Sequence, residues 1–348
     1  MHKTPSRLRR CLQVSALLMS TALIASACGG SEANTTQKSS LDAKAGPVKF
    51  RDAVPGSGDG VKIGYISLSD AVPFIKLVSD SVKKEAKAAG AELVFCDSQG
   101  DAAKALDCAK NMKTQGVQGI LNFQGDAKAA AAICAAGPDV PVIAIDIEQQ
   151  PCQKAFMGAN NKLAGKIAGK ALGEFAKTKY ACQYDAYISM EQPEAGAVNE
   201  DRMGGFRDGF SEACGDVKNV RKINAFRIDT AQTAFADVLT TLPGKHKILV
   251  VGINDDSIKG VVAAAKTAGR ANDIWVSAQG ADPSSWCEIS KNPNWVADAA
   301  YFPERYGQIG VPYLLDLIAG KSVPNELFVS HKAITADNIS DTYDVSSC

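Results

Sequence analysis

The chain has 348 residues, with 38 Lys and Arg against 38 Asp and Glu, so its formal net charge at pH 7 is zero. This balance excludes the strongly basic surface that nucleic-acid binding requires, and we expect no nucleic-acid partner. Four of the basic residues lie in the first 27 positions, which leaves the remainder mildly acidic. After residue 60 about 290 residues remain, enough for a hydrophobic core and, by the usual size of domains, for two domains.

The N-terminal segment has the order of parts found in a secretory signal. "MHKTPSRLRR" is basic, residues 14–25 are apolar, and small residues precede Cys28. The apolar run is too short for a transmembrane span. "IASAC" resembles a bacterial lipobox, in which Cys28 becomes the lipidated first residue. However, Ala25 stands where leucine is usual, and ordinary cleavage with a free Cys28 is the alternative.

We predict a signal peptide over residues 1–27, of either the general secretory or the twin-arginine type. The mature protein is then a lipoprotein on the outer side of the cytoplasmic membrane, in the periplasm or at the cell surface. Residues 28–60 are rich in Gly, Ser and Thr and poor in aromatic residues. That composition is typical of a flexible tether, so we expect the folded body to begin near Val61.

Ten cysteines fit an exported protein. Cys11 would leave with the signal peptide and Cys28 would carry lipid. The remaining eight form an even set, as disulfide-bonded proteins of oxidising compartments have. Eight cysteines allow many connectivities, and we favour pairing in chain order because each pair then joins neighbouring elements. The predicted disulfides are Cys96–Cys108, Cys134–Cys152, Cys182–Cys214 and Cys287–Cys348.

A metal site is the alternative use of these cysteines. No C-x-x-C pair occurs in the sequence, and His246 and His331 are isolated. Zinc sites draw their ligands from short, regular spacings. We therefore expect neither a metal nor a cofactor.

Short apolar runs and amphipathic segments alternate along the chain from Val61. "VKIGYIS", "AELVFCD", "VQGILNF", "PVIAID" and "KAFMGA" predict strands, and the segments between them have the three- and four-residue apolar spacing of helices. After "NNKLAGKIAGKALGEFAKTK" the pattern begins again with "CQYDAYISM", "NVRKINAFRI", "KHKILVVGI" and "DIWVSAQG". This alternation predicts an α/β fold with two doubly wound parallel sheets.

The turn after the first predicted strand reads "SLSDAVPF". Pro73 is suited to the first turn of a helix, where its missing N–H costs nothing. Phe74 follows near the carboxyl end of the strand, which is where open α/β sheets bind ligands. Its ring either packs in the core or faces such a site, and these residues alone leave both readings open.

Six segments, in this order and spacing, carry a resemblance to a known family. They are "PF" after the first strand, "VPVIAID", "NNKLAGKIAGKAL", "NEDRMGGFRDGF", "GINDDSIKGVVAAAKTAG" and "YFPERYGQIGV". From about Val61 to Asp344 the chain resembles the type I periplasmic sugar-binding proteins of ABC importers, the ribose- and galactose-binding group. The resemblance implies two α/β lobes joined by a three-segment hinge. Lobe one would comprise residues 61–160 and 303–328, and lobe two residues 161–302 and 329–348.

The resemblance also implies a ligand site in the cleft between the lobes. Phe74 matches the aromatic residue that stacks on the C–H face of a sugar. Asp146 matches the acidic ligand residue, and a carboxylate accepts strong hydrogen bonds from hydroxyls. Arg202 matches the arginine that binds the ligand from the second lobe. The alternatives are core packing for Phe74, a turn or cap for Asp146, and a solvated helix charge for Arg202.

Four further residues are candidates for ligand contact. Asn254 matches the family's "ND" pair but could equally cap the following helix. Gln279 and Tyr301 stand where the family often has aspartate and an amide. Asp70 lies in the same turn as Phe74, although residues of its kind usually serve the turn itself.

Some positions depart from the ribose-type pattern. Val72 replaces a frequent asparagine and Ile147 replaces a common arginine. Together with Gln279 and Tyr301 these residues make the predicted site less polar. A sugar or polyol is the leading ligand class, and a nucleoside or another ring-bearing solute is the alternative, because a site built for one set of hydroxyls rejects another.

The function that the resemblance implies is capture of a solute by closure of the lobes and delivery to an ABC permease in the membrane, by a monomer. The ATPase must be a separate chain because no G-x-x-x-x-G-K-[ST] occurs. A sensory binding protein would share the cleft and differ in its partner. An exported enzyme is the rival class, but G-x-S-x-G and H-E-x-x-H are absent from the sequence. We predict a binding protein and not an enzyme.

Overall fold

A computed structural model describes residues 46–348. The predicted signal peptide, Cys28 and residues 29–45 of the tether lie outside the described residues. The strands, in chain order, are β1 (Lys62–Ser67), β2 (Glu92–Asp97), β3 (Gly119–Asn122), β4 (Val142–Ile145), β5 (Gln153–Gly158), β6 (Ala186–Glu191), β7 (Val220–Asn224), β8 (Ile248–Gly252), β9 (Ile274–Gly280), β10 (Trp295–Ala300), β11 (Glu326–Phe328) and β12 (Lys332–Ile334).

The α-helices lie between these strands, except between β4 and β5 and between β11 and β12. They are α1 (Pro73–Ala89), α2 (Ala102–Gln115), α3 (Ala130–Ala136), α4 (Asn161–Tyr180), α5 (Ala197–Cys214), α6 (Ile228–Thr240), α7 (Asp255–Thr267), α8 (Trp286–Lys291) and α9 (Gly307–Ile318).

The strands form two six-stranded sheets with the same internal order. One runs β11-β5-β4-β3-β1-β2 and the other β12-β10-β9-β8-β6-β7. All neighbours are parallel except β10 and β12. The fold class is therefore the predicted one, two doubly wound α/β units. In such sheets ligands bind beyond the carboxyl ends of the strands, where the strand order reverses.

We call the first sheet with α1–α3 and α9 the first lobe, and the second sheet with α4–α8 the second lobe. Helix α9 belongs to the first lobe because it packs on α1 and β3, and α4 packs on β9 and β10 of the second. The chain passes between the lobes at three crossovers, residues 158–161, 300–303 and 328–332. Parallel sheets need both faces covered, which the helices provide.

A seam of glycines brings α4 and α5 into close contact. A Cβ at Gly165 would collide with the carbonyl oxygen of Arg202, and a Cβ at Gly169 with that of Phe206. Gly205 on α5 faces the backbone of α4 in the same way. The four-residue spacing in "AGKIAGKALG" is the sequence basis of this contact, because residues four apart share one face of a helix. The seam fixes the position of α5 and of the arginine it carries.

Eight cysteines form four disulfides in the structure, in the chain-order pairing. Each joins neighbouring elements: β2 to α2, α3 to the loop before β5, the turn after α4 to the end of α5, and α8 to the C-terminal residue. The pairs are Cys96–Cys108, Cys134–Cys152, Cys182–Cys214 and Cys287–Cys348.

The prediction that the tether extends to residue 60 is wrong for its last part, because residues 46–60 pack against the body. Ala53 is buried, and its N–H donates to Oε2 of the buried Glu85 (2.8 Å). The ring of Phe50 lies edge-on to that of Phe302, with 6.0 Å between centroids. The average composition of residues 28–60 is that of a linker, and it gave no sign that individual residues such as Phe50 and Ala53 contact the body.

Within residues 46–348, no helix has the length and apolar character needed to cross a bilayer.

Candidate functional site

A cavity of about 200 Å³ opens between the carboxyl ends of the two sheets. Both lobes contribute to its wall. The first lobe supplies Val72, Phe74 and Asp146, and the remaining lining residues are Arg202, Asn254, Asp255, Asp256, Gln279, Gly280, Asp282 and Tyr301. The structure thus brings six of the seven predicted ligand residues to one cavity.

Phe74 forms an aromatic wall between the lobes. Its ring meets Tyr301 edge-on at 6.4 Å between centroids and Tyr306 at 6.0 Å. It is partly buried and packs against the apolar clusters of both lobes. The two readings of this residue are therefore combined, because the ring packs in a core and also lines the cavity.

Asp146 follows β4 and has a positive φ of 56°, a conformation that aspartate tolerates better than most residues. The hydroxyl of Tyr306 donates to its Oδ1 (3.3 Å). Burial raises the pKa of Asp146 to about 6, although the charge of Arg202, the Ala159 N–H and the Tyr306 hydroxyl act in the opposite direction. Gly158 leaves room for the carboxylate, since a Cβ there would collide with Oδ1.

Arg202 is held by the protein on two of its nitrogens. Its Nε donates to Oδ1 of Asn161 (2.8 Å) and its Nη1 to the carbonyl of Ile253 (3.1 Å). The guanidinium carbon lies 5.1 Å from the centre of the Tyr301 ring, within cation–π range. The positive charge is thus fixed at the cavity, where it acts on Asp146 from the opposite lobe.

Gln279 and Tyr301 form a polar pair at the carboxyl ends of β9 and β10. The Tyr301 hydroxyl donates to Oε1 of Gln279 (2.9 Å), and both side chains are almost fully buried. Nε2 of Gln279 is buried and has no hydrogen-bond partner among the described residues. A buried amide donor without a partner is costly, so a ligand acceptor at this point would be favourable.

Asn254 caps a helix, and it also lines the cavity. Its Oδ1 accepts from the N–H of Ser257 (2.9 Å) and so caps α7, while the residue also lines the cavity. Since the cap uses the oxygen, the amide nitrogen is the group of this side chain that remains available as a donor.

Asp70 does not line the cavity. Its Oδ1 accepts from the hydroxyls of Ser67 (2.8 Å) and Ser79 (2.5 Å), and Lys83 pairs with Oδ2 (3.3 Å). Burial raises its pKa, but the two hydroxyls and the lysine outweigh burial, and the pKa lies below its ordinary value. The Asp70 carboxylate therefore stabilises the turn after β1, which was the alternative to ligand contact for this residue.

Asp255, which lines the cavity, forms a buried pair of acids with Asp298 in the second lobe. Asp255 begins α7 and Asp298 lies in β10, and both side chains are almost completely buried. Burial raises the pKa of Asp298 to about 7 and that of Asp255 well above its ordinary value, and the charge of Asp298 raises the latter further. Asp298 Oδ1 accepts from the N–H of Ala281 (2.9 Å). Both carboxyls therefore favour the neutral form more strongly than an ordinary aspartate does.

Sequence reasoning missed three contributors to the site. Tyr306 orients Asp146, Asn161 orients Arg202, and Asp298 pairs with Asp255. Tyr306 and Asn161 lie in segments that carried the resemblance, "YFPERYGQIGV" and "NNKLAGKIAGKAL", but neither was singled out. Nothing near Asp298 in "WVADAAYF" marks it, because its partner lies in another part of the chain.

The described residues contain no group of three or more His, Cys, Asp or Glu side chains placed to hold a metal ion.

Residues 63–322 match the model of the family described as "Periplasmic binding protein domain". The match covers well over half of the chain. The chain belongs to the periplasmic binding protein domain family. Members of this family bind solutes, and the two parallel sheets with a cavity between their carboxyl ends are the architecture of its type I members.

Among curated relatives of this periplasmic binding protein is the ribose import binding protein of Bacillus subtilis, 25% identical over 283 residues, which are 78% of this chain and 87% of the relative. The D-apiose import binding protein of Paraburkholderia graminis is 25% identical over 233 residues, 63% of this chain and 70% of the relative. A solute-binding protein from Actinobacillus succinogenes, solved with D-allose, has the same fold, with a TM-score of 0.68 and 17% identity over 81% of this chain and 99% of that one.

Proposed function

We propose that this chain is the substrate-binding lipoprotein of an ABC importer and captures a sugar or polyol between its lobes. The observation that carries the proposal is the placement of Asp146 and Arg202 on opposite lobes of one cavity, beside the Phe74 ring. A carboxylate and a guanidinium together bind hydroxyl groups as acceptor and donor. The ring offers an apolar face for the C–H groups of the same ligand.

The names of the relatives support this ligand class. Two curated relatives import ribose and D-apiose, and a protein of the same fold was solved with D-allose. The polar groups of the cavity suit such molecules. Gln279 and Asn254 supply amide donors, and the carboxylate of Asp146 accepts from hydroxyls.

Capture would proceed by closure of the two lobes, residues 61–160 with 303–328 and residues 161–302 with 329–348. Because ligand contacts come from both lobes, a bound solute favours the arrangement in which the lobes are close. Hinge closure of this kind is the motion for which periplasmic binding proteins are the standard example. The loaded protein, a monomer, would then dock on a separate permease.

The proposal includes anchoring through lipid on Cys28 and a position outside the cytoplasmic membrane. It also includes the absence of catalysis: the solute is released unchanged. Recovery of intact ligand after prolonged incubation with the protein tests this part, because an exported enzyme would convert it.

A thermal-shift screen of the purified protein tests the ligand class, since a ligand that binds only the folded state raises Tm. The panel contains pentoses, hexoses, polyols, nucleosides and amino acids. We expect a clear shift with one sugar or polyol, lost in Asp146→Asn and Arg202→Lys. Two matched variants of exposed residues, Asp80→Asn and Arg221→Lys, should retain it.

A nucleoside is the second candidate. Val72 is 44% exposed beside the cavity, and the rings of Phe74 and Tyr301 lie close by. These apolar groups suit a planar base better than they suit a ring of hydroxyls. A shift with nucleosides and none with any sugar would replace the leading proposal with this one.

A further inference from the structure

The three crossovers between the lobes meet at one side chain. His331 lies in the third crossover, and its imidazole reaches both of the others. The backbone N–H of Asn160, in the first crossover, donates to Nε2 (3.1 Å), and Nδ1 lies 3.0 Å from the carbonyl oxygen of Ala300, at the start of the second. The family resemblance gave this residue no role.

These partners fix the protonation of the ring. A backbone N–H can only donate and a carbonyl oxygen can only accept, so Nδ1 carries the proton and Nε2 the lone pair. Burial and the nearby charge of Arg202 lower the pKa of His331 to about 4, although the bond to Ala300 acts the other way. The imidazole is therefore neutral at neutral pH, the form in which both hydrogen bonds exist.

The imidazole also reaches the cavity. Its ring meets that of Tyr301 edge-on, with 5.1 Å between centroids. Tyr301 in turn donates to Gln279 and lies beneath the guanidinium of Arg202. One chain of contacts thus connects the crossovers with the ligand-facing groups of the second lobe.

We infer that His331 is a hinge clamp: a positioning residue whose two hydrogen bonds hold the three crossovers in one relative arrangement and support Tyr301 at the cavity. Rotation of the lobes changes the φ and ψ angles of the crossover residues. A side chain that connects all three crossovers therefore contributes to the free-energy cost of that rotation. The inference rests on the proposed closing motion, but its test needs no ligand.

The test measures the distance between two labels in the full chain without ligand, by pulsed electron resonance or single-molecule fluorescence. Lys128 and Ala197 are exposed and follow strands at the carboxyl ends of opposite sheets. The labels are attached through bioorthogonal amino acids so that the eight disulfide-bonded cysteines are not disturbed. Melting temperatures are recorded in parallel, and distances are measured well below Tm.

The decisive variant is His331→Phe, which keeps an aromatic ring against Tyr301 and removes both hydrogen bonds. In the wild type most molecules should show one main distance between the labels. In His331→Phe we expect the ratio of molecules with this distance to molecules with any other distance to fall about tenfold. A change of this size is expected from the loss of one or two net hydrogen bonds. His331→Asn keeps a donor near the position of Nδ1, and His331→Gln can offer an acceptor near that of Nε2. Both should give intermediate ratios.

Ser330→Ala is the matched control, because this neighbour lies in the same crossover and its side chain makes no hydrogen bond with the described residues. We expect it to keep the wild-type distances. The inference is overturned if His331→Phe gives the same distances as the wild type. It is equally overturned if Ser330→Ala and His331→Phe change them alike, because the effect then belongs to the segment and not to the imidazole. Failure of every sugar in the thermal-shift screen would leave these distances unaffected.

Discussion

The two lobes form opposite walls of the cavity, and the buried acids on these walls have opposite kinds of neighbour. On the first lobe, Asp146 faces a cation, Arg202, and accepts from the Tyr306 hydroxyl. On the second lobe, Asp255 faces another acid, Asp298. Burial raises the pKa of all three carboxyls, but to about 6 for Asp146 and to about 7 for Asp298.

This difference separates an acid that can bind a ligand from one that serves the fold. At neutral pH Asp146 is mostly ionised, and an ionised carboxylate accepts hydroxyl groups strongly. Each of two neighbouring buried carboxyls disfavours ionisation of the other, so Asp255 and Asp298 resist becoming charged. The proximity of an acid to the cavity therefore does not determine its role, whereas the charge of its neighbour does.

The largest loss of affinity should come from removing the charge of Asp146, on the first lobe's side of the cavity. Asp146→Asn keeps the shape of the side chain and removes the ionised acceptor. Hydrogen bonds to charged groups contribute about 1.5–3 kcal/mol, so we expect Kd for the sugar or polyol found in the screen to rise about 100-fold. Titration calorimetry measures it.

Asp256→Asn is the control for this prediction. Asp256 also lines the cavity but pairs with Lys259 (2.7 Å) on the surface. Its removal should change Kd less than threefold, a factor that corresponds to about 0.65 kcal/mol. If both variants lose affinity equally, ligand affinity depends on the net charge of the cavity. The different roles assigned to Asp146 and to the acids of the second lobe would then be wrong.

Most of the fold was accessible from the sequence because its signals are local. Short apolar runs bounded by turn residues indicated the strands, and the glycine spacing of "AGKIAGKALG" underlies a close helix contact. The same locality placed Phe74 and Asp146 at the carboxyl ends of strands. The prediction of the tether boundary failed for the opposite reason, because the contacts of Phe50 and Ala53 that hold this segment on the body join it to distant parts of the chain.

The parts of the site that sequence reasoning missed depend on contacts between distant segments. Tyr306 reaches Asp146 across 160 positions of the chain, and His331 reaches Asn160 across 171. Asp70 was a candidate because it lies beside Phe74, yet its side chain turns to two serines and a lysine. Spacing along the chain predicts which residues share an edge but not which side chains face each other.

The buried acids of the second lobe predict how the stability of the protein depends on pH. The folded-state pKa of the Asp255–Asp298 pair lies above the unfolded value, so the stability it contributes is fully present below the ordinary aspartate pKa of 3.8 and is lost as pH rises through about 7. Asp298→Asn removes one ionisation and keeps an oxygen for the Ala281 N–H. We expect it to be more stable than the wild type at pH 9, by on the order of 2 kcal/mol, or about 4 °C in Tm.

At pH 3, below the ordinary aspartate pKa of 3.8, the same variant and the wild type should melt within about a degree of each other, since the carboxyl is then protonated in the unfolded state as well as in the folded state. Calorimetric scans at the two pH values measure the difference. Asp256→Asn, whose side chain is on the surface, should show no such gain at pH 9. An equal gain in Asp298→Asn at both pH values would mean that ionisation of the pair does not limit stability at high pH.

The first wall predicts a pH dependence of binding instead. Asp146 has a pKa of about 6 in the ligand-free protein, and hydroxyls donate to its ionised form. Affinity should therefore be constant above pH 7 and fall as pH drops through 6. At pH 5 about a tenth of the carboxyls are ionised, so Kd rises about tenfold. Asp146→Asn should bind weakly but with a flat profile from pH 5 to 8, and a parallel decline in this variant would assign the dependence to another group.

The smallest effect concerns Phe74, the residue that packs against both walls. Phe74→Leu preserves most of the apolar volume and removes the aromatic face. Edge-on aromatic contacts contribute about 0.5–1.5 kcal/mol beyond their buried area, so we expect a loss of affinity of about three- to tenfold for a sugar. For a nucleoside the loss should be greater, because a base stacks over its whole face.

Phe95→Leu is the control, since that ring contacts Tyr65 within the first lobe and does not line the cavity. Measured on the ligand from the screen, a change within twofold in Phe74→Leu would mean that the ring serves the core alone, and that the polar groups of the two walls hold the solute without it.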